Sequence, residues 1–186
     1  MPASLRLSWR VVALSTVLAL GAAVGTYALL ADDDELAPTS IELTREGDVP
    51  TADEATFTTF DGEEVALSSL RGTPTVVNFF ASTCTPCITE MPAFEEVHQD
   101  LGAEVAFLGL AVTDRADEAQ ALVDRTGVTY RTAQDRDGSV IKIMGGAVLP
   151  TTVLLDADGA VVATHNGELD ADELRALLAD ELGIPA

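Results

Sequence analysis

The chain is 186 residues long, 47% of them hydrophobic, and carries 31 acidic against 10 basic residues, a formal net charge of −21. That balance excludes nucleic acid as a partner, because phosphate binding needs a basic face, and any hold on an anionic membrane has to come from an apolar segment. The length suits a single core once an apolar N-terminal stretch is set aside, and only two cysteines are present, three residues apart.

Arg6 and Arg10 precede Val11 to Leu30, a run without charge. At ~1.5 Å rise per residue, about twenty helical residues span ~30 Å, the hydrocarbon core of a bilayer. The arginines lie before this run and Asp32-Asp33-Asp34-Glu35 after it, which places the N-terminus in the cytoplasm and the rest of the chain outside. Trp9 and Tyr27 fall near the two interfaces. Residues 1–30 therefore read as a cytoplasmic start and a transmembrane signal-anchor helix. The alternative is a signal peptide cleaved near Gly21-Ala22-Ala23, which leaves the domain secreted. Either reading puts the cysteines in an oxidising compartment. Residues 31–54, acidic and interrupted by Pro38 and Pro50, read as an extracytoplasmic linker, and residues 55–186 as the folded domain.

Thr56 to Phe60 and Glu63 to Leu67 flank Asp61-Gly62, a two-residue hairpin signal, and Leu67 to Arg71 forms one helical turn. Val76 to Phe80 is an apolar, β-prone run that stops at small polar residues, so that Cys84 and Cys87 fall where a helix begins. Unpaired N–H groups and the helix dipole at that end favour a thiolate on Cys84, the expected nucleophile. Cys87, one turn on and less accessible, is the expected resolving thiol, and Pro86 stiffens the first turn. A structural bridge is disfavoured because closing so short a loop constrains the unfolded chain little. Zinc is disfavoured because His98 and His165 stand apart from each other, and no metal is expected. Glu90, three residues after Cys87, projects from nearly the same face, where a carboxylate raises the Cys87 pKa and relays its proton; the competing reading is a solvated surface glutamate.

Beyond a helix expected to kink at Pro92, Glu104 to Val112 reads as a strand covered on both faces. Thr113 or Asp114 is expected to cap a helix bearing Ala116, Ala119, Leu122 and Val123 on one face and ending at Gly127, which implies a parallel strand pair with a right-handed crossover. Val128 to Ala133 reads as a strand and Gly138 to Met144 as a short helix. Thr151 to Asp156 and Ala160 to Thr164 form a hairpin turning at Asp158-Gly159. Asp170 to Leu182 is a closing helix, with a capping box at Asp170 and Glu173 and with Leu174, Leu177, Leu178 and Leu182 on its inner face.

The segment Asn78-Phe-Phe-Ala-Ser-Thr-Cys-Thr-Pro-Cys-Ile-Thr-Glu-Met-Pro92 resembles the active-site segment of membrane-anchored thioredoxin-like proteins of the TlpA/ResA type. The likeness continues through Leu149-Pro-Thr-Thr-Val-Leu-Leu-Asp156 and Asp158-Gly159, and so covers roughly Ala55 to Leu182. Two positions depart from it: Phe80 and Thr83 stand where relatives usually carry tryptophan. The resemblance implies an α/β thioredoxin-like fold, a mixed central β-sheet flanked by helices. It implies that Cys84 and Cys87 form a redox-active disulfide, that Pro150 is cis and faces it, and that the backbone of Leu149 pairs with substrate. Glu90 matches an acidic position of the ResA-like proteins.

The activity implied is an extracytoplasmic protein-disulfide reductase without cofactor. Its substrates are protein thiols and disulfides, with apocytochrome c as the suggested client and a membrane thiol-reductant carrier of the CcdA type as the electron donor. The alternatives are a general extracytoplasmic disulfide oxidase or isomerase, a copper chaperone using His98 or His165, and a peroxidase. The last two are disfavoured because copper-delivering relatives usually space the cysteines by three residues, and peroxidases of this fold need a threonine where Ala81 stands.

Overall fold

The computed structural model describes residues 55–185, in which seven strands form one mixed sheet. In chain order the elements are β1 (Thr56–Thr58), β2 (Glu64–Ala66), a 3-10 turn (Leu67–Leu70), β3 (Thr75–Phe80), α1 (Thr85–Leu101), β4 (Ala106–Val112), α2 (Ala116–Thr126), β5 (Arg131–Asp135), α3 (Ser139–Ile143), β6 (Thr151–Leu155), β7 (Val161–Asn166) and α4 (Ala171–Leu182). The expected membrane span at 11–30 and the linker at 31–54 lie outside the described residues. Among those described, no helix is long and apolar enough to cross a membrane.

The strands lie in the order β2-β1-β5-β4-β3-β6-β7. β3, β4 and β5 are parallel, while β6 runs antiparallel to β3 and to β7. Every residue of β3 and of β6 is buried, which is why both read as nearly continuous β-prone runs in the sequence. Alternation along the strands divides the core in two. On one face Val76, Phe80 and Leu154 meet Met91, Phe94 and Val97 of α1, Leu122 of α2, and Leu174 and Leu178 of α4. On the other, Val77, Phe79 and Val153 meet Leu67 of the 3-10 turn and Val140 and Ile141 of α3.

Two of the predicted helix ends hold. Gly127 closes α2 in the left-handed region at φ 73°, and Asp170 with Glu173 forms a reciprocal capping box on α4. Three local expectations need correction. The first hairpin turns over Thr59 to Glu63 rather than at Asp61-Gly62 alone. The Thr59 hydroxyl accepts from Glu63 N at 2.9 Å and donates to Asp61, and Phe60 leaves the strand to pack on the core. Neither Thr113 nor Asp114 caps α2, whose N-cap is Arg115 without a side-chain bond, because the Asp114 carboxylate is engaged elsewhere. Finally, β5 starts at Arg131 rather than Val128. Its polar residues Gln134 and Asp135 are buried but satisfied: Gln134 donates to Asp114 O, and the Asp135 carboxylate accepts from Val140 N and Ile141 N at the start of α3.

Gly109, in the middle of β4, leaves little room for a side chain. A Cβ there would lie 3.1 Å from Tyr130 Cε2 and 3.2 Å from both Phe80 Cε1 and Thr132 Cγ2. Gly109→Ala is expected to cost ~1–3 kcal/mol of stability by overpacking. The reading is a lower urea midpoint at unchanged m-value; a midpoint equal to wild type would mean that the aromatic rings yield without cost.

Candidate active site

β3 ends at Phe80, and α1 begins at Thr85, so the intervening loop delivers both sulfurs to the end of the sheet where the parallel strands finish. Cys84 is the N-cap of α1. Its sulfur accepts a hydrogen bond from Cys87 N at 3.3 Å, and its carbonyl accepts from Ile88 N at 3.1 Å. The two cysteines form a disulfide with their Cα atoms 5.3 Å apart. They are unequal: Cys84 is half-buried beside the exposed Thr83 and Thr85, whereas Cys87 is fully buried on the inner side of the helix. An N–H donor aimed at the outer sulfur stabilises negative charge there once the bridge is opened.

The loop that carries Cys84 is pinned by a residue that sequence reading assigned to another task. Asp114, just past β4, accepts from Ser82 N at 2.6 Å and from the Ser82 hydroxyl at 3.2 Å. It thereby fixes the backbone two residues before the outer cysteine. Only the parallel pairing of β3 and β4 brings it there, so no local signal marks it.

Glu90 is not the solvated glutamate that was the competing reading. It is 1% exposed, with Oε1 accepting from Asn78 Nδ2 at 2.8 Å and Oε2 accepting from Leu169 N at 3.3 Å. Burial pushes its carboxyl up to about 7, against the pull of those two bonds, and Glu168 adds to the rise. Glu90 is one helical turn beyond Cys87, and both are buried on the sheet side of α1.

The Leu149–Pro150 peptide is cis, as the resemblance implies. Pro150 directly precedes β6, and Thr151 pairs with Phe79, so it sits at the end of the sheet where β3 gives way to the cysteine loop. Its carbonyl accepts from Gly167 N at 2.9 Å. Among the described residues Leu149 makes no backbone hydrogen bond, and its half-buried side chain packs on both core clusters. Beside it an apolar groove of about 600 Å³ runs past Val112, Ile141, Lys142 and Val148, the last 55% exposed. The structure thus gathers Cys84, Cys87, Glu90, Leu149 and Pro150 at one end of the sheet.

It does not bring the two histidines to each other. His98 lies far along α1, edge-on to Phe107 and Tyr130, and His165 lies on β7 opposite Thr152. Phe80, the replacement for the usual tryptophan, is fully buried, and Thr83 is exposed next to the outer sulfur.

Residues 45–178 match the Redoxin family. The chain is 31% identical over 124 residues to the thiol-disulfide oxidoreductase ResA of Bacillus thuringiensis subsp. konkukian, covering 65% of this chain and 70% of that one. Among solved structures it is similar to MTB DsbF in mixed oxidised and reduced forms. That match has 30% identity and a TM-score of 0.64, and covers 71% of this chain and 98% of that one. It is also similar to a secreted disulfide oxidoreductase of Mycobacterium tuberculosis homologous to E. coli DsbE. There the identity is 26% and the TM-score 0.62, with 69% and 97% covered. The expected thioredoxin-like α/β fold with a mixed sheet is what these matches share.

Because the folded Glu90 carboxyl titrates near 7 and the unfolded one near 4.5, the folded state holds more protons between those values. Its stability therefore falls as pH rises through that window. Glu90→Gln removes this slope. The stability difference between wild type and Glu90→Gln, from urea unfolding of the oxidised protein, is expected to move against wild type by about 3 kcal/mol from pH 4.5 to 7. A pH-independent difference would show that Glu90 is not held as described.

Proposed function

The chain belongs to the Redoxin family, among its TlpA/ResA-like thioredoxin-fold members, and from that premise we propose a membrane-tethered extracytoplasmic oxidoreductase that reduces protein disulfides. The observation that carries the reading is the inequality of the two sulfurs: one at a helix N-terminus and partly exposed, the other buried one turn behind it. Cys84 thiolate attacks a partner's disulfide, forming one S–S bond and expelling the first partner thiolate. Cys87 then attacks Cys84, the mixed disulfide breaks, and the partner leaves fully reduced. Glu90 takes the Cys87 proton. An extended partner segment pairs with the backbone of Leu149 above Pro150 and lays its side chains in the adjacent groove.

Support for the extracytoplasmic site is the arginine-flanked apolar run at 11–30 and the secreted relative from Mycobacterium tuberculosis. The likeness to ResA-type proteins suggests apocytochrome c as substrate and a CcdA-type carrier as electron donor. A general disulfide oxidase or isomerase is the second reading, since the same exchange runs in either direction.

Two experiments test this. Cys87→Ser is expected to accumulate mixed disulfides through Cys84, Cys84→Ser to trap far fewer, and replacement of Pro150 to weaken the trapping. Equal trapping by both cysteine variants would remove the assigned roles. If the physiological reading holds, the trapped species include apocytochromes c and an integral-membrane donor; capture of many unrelated exported proteins favours the general catalyst instead. Protease added to spheroplasts is expected to remove the domain, while carbonate washing leaves the full-length chain in the membrane. Full-length protein in the cytosol would refute the topology.

A further inference from the structure

Among the described residues, four buried side-chain polar atoms have no hydrogen-bond partner: Asn78 Oδ1, His98 Nδ1, the Tyr130 hydroxyl and Thr152 Oγ1. Two of them are cross-strand neighbours. Asn78 pairs with Thr152 across β3 and β6, and Thr152 pairs with His165 across β6 and β7. Directly paired residues place their Cβ atoms about 4.5–5.5 Å apart on one face. Asn78 is also the residue whose Nδ2 donates to Glu90, so its free oxygen lies on the same amide group. Buried polar atoms in folded proteins rarely stay unpaired, and ordered internal water is a common partner for those that protein groups leave unsatisfied.

We propose that a bound water bridges Asn78 Oδ1 and Thr152 Oγ1 beside the Glu90 carboxyl group and carries its proton to His165 at the sheet edge, making Thr152 and His165 positioning residues that reset Glu90 after the resolving step. The proposal rests on Glu90 accepting the proton of Cys87.

The need for such a route follows from burial. Cys87 and Glu90 are both shielded from solvent, and a partner docked along Leu149 covers the site from the front. His165 is half-buried, and its Nε2 lies 3.8 Å from where a Gly167 Cβ would be, which directs the ring toward the segment that bonds Pro150. In resolution the Cys87 thiol gives its proton to the Glu90 carboxylate. The Cys87 sulfur bonds to Cys84, the bond from Cys84 to the partner breaks, and the partner sulfur leaves with the electron pair and is protonated by solvent. Glu90 then returns to the carboxylate by giving its proton to the water, which passes one to the His165 imidazole and so to bulk solvent. The other titratable groups facing Glu90 are Glu168 between β7 and α4, Tyr130 ahead of β5, and the two cysteines on α1 itself. Tyr130 is held neutral by burial and cannot take this role at ordinary pH.

The test uses full-length protein. In the oxidised form, ¹³C-carboxyl NMR titration of Glu90, assigned by its loss in Glu90→Gln, needs no cysteine chemistry and so stands apart from the role given to Glu90. Thr152→Val is expected to raise the Glu90 pKa by about one unit, as loss of a hydrogen bond supporting the carboxylate should, and Thr152→Ser to restore it. An unshifted Thr152→Val, or a Thr152→Ser that behaves like Thr152→Val, overturns the water. In multiple-turnover reduction of a disulfide substrate, where Glu90 has to lose its proton before each new cycle, His165→Phe is expected to slow turnover about tenfold or more, with recovery on adding imidazole to the buffer. An unchanged rate, or a slow rate that imidazole does not restore, overturns the outlet. Glu90→Gln in the same assay reads the underlying role separately, because a wild-type rate there removes the proton acceptor while leaving the titration of Thr152→Val to report on the water.

Discussion

A carboxyl group withdrawn from water has to be hydrogen-bonded, neutral, or both, and the way Glu90 meets that condition governs much of the domain. One oxygen reaches Asn78 in the centre of β3, and the other reaches Leu169 between β7 and α4. Three segments distant in sequence are therefore fastened at one point of α1. The helix cannot rise, slide or turn over the sheet without leaving either the carboxylate or the Asn78 amide unpaired in the core. Cys87 lies one turn before this fastening, so its burial follows from the same constraint.

The outer sulfur is governed by a different set of contacts. Cys84 sits beyond the last residue of β3 in a loop tied by Asp114 to the end of β4. A strand ending beside a parallel neighbour presents its loop at the sheet end, and the helix that follows starts with donors that have no intrahelical acceptor. Placing one cysteine at that start and the other in its first turn gives two thiols of the same chemistry opposite surroundings: a polar rim for one and an apolar core for the other. Directional exchange through a mixed disulfide draws on that difference.

The cysteine spacing, the strand before it and the capping box of α4 were legible because each is written in a few adjacent residues. The cis state of Pro150 was legible only through family likeness, since nothing local distinguishes it from a trans proline entering a strand. Glu90 was recognisable as a neighbour of Cys87 from helical spacing, but its burial was not, because the cover arrives with Leu169, 79 positions away. Asp114 was misread for a related reason: an acid just before a helix looks like a cap, and only the β3–β4 register shows that its carboxylate turns toward Ser82 instead. The start of β5 was displaced because Val128 and Tyr130 are as buried as strand residues, although pairing with β4 begins only at Arg131.

The surface chemistry bears on how such a site chooses partners. The chain is strongly acidic, and Lys142, its only lysine, borders the apolar groove beside Leu149. Charge of one sign acts at long range, and steers encounter by discouraging acidic partners without fixing an orientation. Within the groove the contacts on offer are apolar side chains and the unpaired backbone of Leu149, which recognise an extended strand whatever its sequence. Long-range selection by net charge combined with short-range tolerance serves the proposed apocytochrome c client and a wider set of exported clients alike. In the proposed tethered arrangement, the membrane anchor then narrows the choice further, because it restricts the domain to clients that come close to the bilayer.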